Sequence, residues 1–242
     1  ERPRPPRGLT PLFRGLESRF MARKTAICAA VCLSFAIAAL PARAAETHIV
    51  RTGPGSTGSW QLDFKFHDLQ RINVVLPGDR QPTTFWYLLY TVTNDTGRDV
   101  EFFPTFELVT DTMQVVVGGD NISPSVYDAI RGRYKKMYPF FRTPIEASGK
   151  LLQGADNART SAAVFRDFDP NASSLTVYVA GLSGEVERLG NPVFDPDRPE
   201  SPQNQRFYTL RKTLAIEYDL PGDPGTRGVA EPIRRGWDWV MR

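Results

Sequence analysis

Residues 60–67, WQLDFKFH, alternate apolar and polar side chains, the pattern of a strand with one buried face. Residues 84–93 form a second run, rich in aromatic and β-branched types. On a strand, Phe85, Tyr87, Leu89 and Thr91 share one face and Trp86, Leu88, Tyr90 and Val92 the other. Large apolar groups on both faces predict a central strand that is covered on both sides. The polar turn at 94–99 then predicts a hairpin-like connection, with Gly97 free to take a positive φ. A third run, 100–109, contains Pro104, which cannot donate a ladder hydrogen bond and marks a bulge or a sheet edge. Residues 113–117, 162–168 and 174–179 read as further strands, the last two separated by a turn at 169–172. In 174–179, Leu175, Val177 and Val179 oppose Thr176 and Tyr178. The longest alternation is 208–220, stopped by Pro221-Gly222-Asp223-Pro224-Gly225. Residues 184–206 carry four prolines and little periodicity, which predicts a long surface loop.

One segment changes period. Ser123 can cap a helix and Pro124 suits its first position. Val126, Tyr127, Ile130, Tyr134, Met137 and Tyr138 then recur at helical spacing. The reading is one short inserted helix over 124–138, ended near Pro139 and covering an end or edge of the sheet. Six to eight strands, one helix and no βαβ rhythm predict an all-β fold, an antiparallel β-sandwich.

The N-terminal part sets location and charge. Residues 21–24 are positive, 25–40 are apolar, and small residues precede a cut after Ala44. This three-part layout predicts a secretory signal peptide over 21–44. Residues 1–20 are read as a non-native upstream extension, and 45–242 as a single domain. Of 30 basic and 27 acidic residues, eight and two fall in 1–44, leaving 22 and 25, a net charge of −3 against +3 for the whole chain. That removes the sequence-wide case for nucleic-acid binding. Both cysteines, Cys28 and Cys32, lie in the apolar run, so no disulfide or thiolate chemistry is expected after cleavage. The expected location is secreted or periplasmic, with no transmembrane helix in the cleaved chain.

The segment YTVTNDTGRDVEF (90–102) resembles a strand junction of uncharacterised bacterial secreted immunoglobulin-like modules. GKLLQGADNARTSAAVFRDFDPNASSLTVYVAGL (150–183) is similar to their second half. The resemblance implies an immunoglobulin-like β-sandwich and no catalytic residues. The helix and the 184–206 loop depart from it, and so become the places to look for a specific role.

Chemistry is sparse. His67 stands beside Asp68, a pairing that can serve a general base. No Gly-x-Ser-x-Gly elbow accompanies it, and neighbouring strand residues point to opposite faces, so His67 reads as a surface strand residue. Asp167, Asp169 and Asn171, and Asp195 with Asp197, present oxygens at calcium-like spacing without the full loop. Turn chemistry is the simpler reading of both. Paired carboxylates for glycoside hydrolysis are left open, since nothing selects a pair. Asn94, Asn121 and Asn171 head Asn-x-Ser/Thr triplets, again at predicted turns. No catalytic residue, metal ligand or cofactor is assigned.

Two partner surfaces remain. Arg131, Arg133, Lys135, Lys136 and Arg142 interleave with aromatics over 131–142. They fit another envelope protein, an anionic envelope polymer or lipid headgroups. A helix that merely keeps these cations in water explains the same spacing. Tyr87, Trp237 and Trp239 are candidates for sugar stacking. The functional expectation is a non-enzymatic interaction or structural module of the cell envelope. The alternative is a carbohydrate-binding or carbohydrate-active protein.

Overall fold

A computed structural model describes residues 47–50, 59–227 and 230–242. The expected upstream extension and signal peptide, 1–44, lie outside the described residues. Thr47–Val50 (β1) pairs antiparallel with Asp63–His67 (β2), although the pattern predicts no strand there. β2 and Gln70–Val75 (β3) follow one another along one edge of Pro82–Thr93 (β4), with a one-residue offset at 67–69. Arg159–Arg166 (β9) takes the other edge of β4. β4 is therefore the central strand that its two apolar faces predict.

Between β4 and β9 the chain supplies the other parts. Val100–Phe102 (β5) and Thr105–Thr110 (β6) replace the single strand expected over 100–109, and Pro104 sits in the break. Val115–Val117 (β7) follows, then the helices Pro124–Tyr134 (α1) and Pro144–Ala147 (α2), then Gly149–Leu151 (β8). β5 pairs with β8, not with β4. The turn at 94–99 is thus not a hairpin. It carries the chain from the first sheet into a small separate ribbon, and Gly97 does take φ +83°.

The second sheet runs β7, β6, Ser174–Ala180 (β10), Phe207–Asp219 (β12) and Ile233–Met241 (β13), every pairing antiparallel. Val186–Gly190 (β11) pairs with the start of β12, inside the stretch read as a loop. β11 is exposed along its whole length, as is most of the β12 segment it faces. A ribbon that leaves the sheet with both faces wet has no in–out alternation to read. β3 went unread for a related reason, since only Ile72 along it is buried.

Two cores flank the first sheet. Trp86, Leu88, Tyr90 and Val92 pack with Phe106, Leu108, Leu175, Val177, Val179, Leu214, Ile216 and Tyr218 between the sheets. Phe85, Tyr87 and Leu89 pack on the opposite side with Val126, Tyr127, Ile130 and Tyr134 of α1. Each such side chain contributes about 1.5–3 kcal/mol by leaving water. The helix therefore lies across the outer face of the first sheet, not at an end or edge. It also stops at Tyr134, four residues early. Pro139 disfavours the α conformation at Tyr138, whose ring turns back to the sheet.

Candidate functional site

The basic, aromatic segment begins in the last turn of α1. Arg131 and Arg133 stand there, where positive charge complements the helix dipole. Both are tied down. Arg131 pairs with Asp128 at 2.9 Å and its guanidinium lies 5.8 Å from the centre of the Phe141 ring. Arg133 donates to the Tyr87 hydroxyl at 2.9 Å. Beneath it, Tyr87 and Tyr134 each reach the Gln70 side-chain oxygen at 2.8 Å, and their hydroxyls lie 3.1 Å apart. Two hydroxyl hydrogens serve three contacts, so two are hydrogen bonds at any moment, with Arg133 adding a donor from outside. Burial pushes the Tyr87 hydroxyl well above its ordinary pKa. Tyr134 raises it further and Arg133 pulls the other way.

His67 belongs to this seam. It is buried, not a surface strand residue, and its Nε2 meets the Tyr138 hydroxyl at 2.6 Å. Burial, and then Tyr134, raises the Tyr138 pKa. Asp68 pairs with Arg234 at 3.0 Å.

Lys135, Lys136 and Arg142 are different. All three are exposed, and among the described residues none has a side-chain hydrogen bond or ion pair. The nearby acid, Glu146, is occupied. It accepts from the Thr143 amide at 2.7 Å and hydroxyl at 3.0 Å in the capping box of α2. Those two bonds, amide first, hold its carboxyl below the usual range, with smaller help from Arg131 and Arg142. Of five basic residues singled out by sequence, the fold spends two on its own structure and leaves three facing water. The sequence carries no sign of which, because Tyr87 is 46 residues from Arg133.

The sugar-stacking candidates separate. Tyr87 is fully buried and presents no platform. Trp239 packs against the inter-sheet core, with the Lys212 amine 5.4 Å from the centre of its ring. Trp237 alone faces solvent, 40 % exposed on edge strand β13. The aspartates do turn work. Asp169 accepts from the Asn171 amide at 2.9 Å and Asp195 from the Asp197 amide at 3.0 Å. Asp167 accepts from the Trp86 indole at 2.8 Å. Among the described residues no three His, Cys, Asp or Glu side chains gather as metal ligands. A cleft of about 650 Å³ opens beside the start of α1, with Arg166 and Asp167 both on its rim.

The Asn94 triplet is also structural. Asn94 is buried, donates to the Arg98 and Leu151 carbonyls, and accepts from the Thr96 amide and hydroxyl. Among the described residues no helix is long and apolar enough to cross a membrane. Comparison with protein-family models, with curated proteins and with solved structures finds no match to this chain.

Proposed function

We propose that this chain is a secreted or periplasmic, non-enzymatic interaction module of the cell envelope, an immunoglobulin-like β-sandwich that docks through the surface carrying Lys135, Lys136 and Arg142. The observation that supports it most is the division of labour within 131–142. Arg133 bonds to Tyr87 beneath α1 and Arg131 to Asp128 within it, while Lys135, Lys136 and Arg142 have no side-chain hydrogen bond or ion pair among the described residues. Exposed cations left without an ion pair favour an anionic partner. The signal-peptide layout at 21–44 supports the location. The test is capture from envelope extract on the immobilised protein across a salt series. Screening shortens the reach of charge from ~10 Å at 0.1 M to ~3 Å at 1 M. Capture through this surface is lost over that range, and capture that persists at high salt contradicts the reading.

A further inference from the structure

The surface around the three free cations is not purely polar. Phe141 is buried and bridges to Thr160, while its neighbours Phe140, in the turn that the Phe141 amide closes on the Tyr138 carbonyl, and Arg142 are both exposed. Phe140 is 85 % exposed. Three residues past Arg142, Ile145 in the first turn of α2 is 89 % exposed, and Met137, next to Lys136, is 62 % exposed. Tyr134 is buried and Tyr138 packs against the same core, so the inward positions of this stretch are accounted for. Within residues 135–145 the outward positions thus hold three large apolar side chains and three unpaired cations. The chain from 45 onward carries 22 basic and 25 acidic residues, so the positive charge of this stretch is not a property of that chain as a whole.

Resting on the docking reading above, we propose that the partner is the headgroup region of an anionic phospholipid bilayer. Phe140, Ile145 and Met137 enter the acyl boundary, and Lys135, Lys136 and Arg142 lie among the phosphates. A bilayer interface presents negative charge directly above an apolar phase, the combination that this surface matches. A dissolved anionic polymer matches only the cations and leaves Phe140 and Ile145 in water.

The test is co-sedimentation of the purified protein with vesicles of phosphatidylglycerol and phosphatidylethanolamine, with phosphatidylcholine vesicles as the neutral control. The expected result is sedimentation with the anionic vesicles only. Phe140→Ser with Ile145→Ser is expected to weaken that binding at least about tenfold while leaving retention on a cation-exchange resin unchanged. Phe140→Trp supplies a second readout that keeps the apolar contact, in which lipids brominated on the acyl chain quench the added emission. Failure to sediment, equal sedimentation of the double serine variant, or no quenching of the introduced indole overturns the proposal. If vesicles fail while salt-sensitive capture from extract persists, the docking surface stands and the lipid is wrong. If both fail, both readings fall.

Discussion

The Asn94 side-chain amide donates to the Leu151 carbonyl at 2.9 Å, tying the turn after β4 to β8 across 57 residues of chain. The same amide nitrogen serves the Arg98 carbonyl at 2.8 Å. Asn94→Asp replaces that double donor with a carboxylate against two carbonyls. The expected loss is about 3 kcal/mol at neutral pH, read from the urea midpoint. A variant as stable as the parent contradicts the role given to Asn94.

The seam under α1 makes a second case. Gln70→Leu leaves the Tyr87 and Tyr134 hydroxyls without their shared acceptor. The expected cost is about 1–3 kcal/mol. Arg133→Glu also destabilises, because Arg133 is bonded to Tyr87. That separates it from Lys135 and Lys136, whose reversal removes only a helix-end charge effect of at most about 1 kcal/mol. Thermal unfolding of the three variants side by side checks the division.

Gly181 takes φ +86°, and a Cβ built there meets the Phe103 carbonyl oxygen at 2.7 Å. Gly181→Ala suffers both the left-handed backbone and the clash. The expected loss is about 1–3 kcal/mol, measured by denaturant unfolding. Gly97→Ala has the backbone strain without the contact and costs less.

Alkaline pH addresses the tyrosines. Burial pushes Tyr127 up to about 12, and Tyr87, Tyr90 and Tyr218 higher still. A phenol whose folded pKa is raised stabilises the fold fully below its unfolded value near 10. That contribution is lost as pH rises from there toward the folded pKa. Stability is therefore expected to fall steadily above pH ~10, with the tyrosinate absorbance of these four appearing together with unfolding. Smooth titration of all eight tyrosines with the fold intact contradicts the burial described.

What could be read from sequence depended on whether a residue's role was local. Leu175, Val177 and Val179 alternate against a single core, and β10 lies where its pattern places it. β4 was readable because apolar groups on both faces imply cover on both, although the identity of the second cover, α1, was not. β11 was not readable, since both its faces meet solvent. The 131–142 surface was visible as residue types only. Arg133 becomes structural through Tyr87, and His67 becomes buried through Tyr138, 71 residues away. Spacing along the chain carries neither contact.

The central claim is that free cations beyond α1 dock this protein to its partner. It is tested most directly by capture from envelope extract with Lys135→Glu and Lys136→Glu combined, each preparation checked by its melting temperature. The account predicts a fold that stays intact, with at most a small drop in melting temperature from the helix-end charge at Lys135, and capture reduced at least about tenfold, since each cation near an anionic surface is worth about 1 kcal/mol and reversal removes more. Capture equal to that of the parent, from a variant that is folded at the assay temperature, would contradict it.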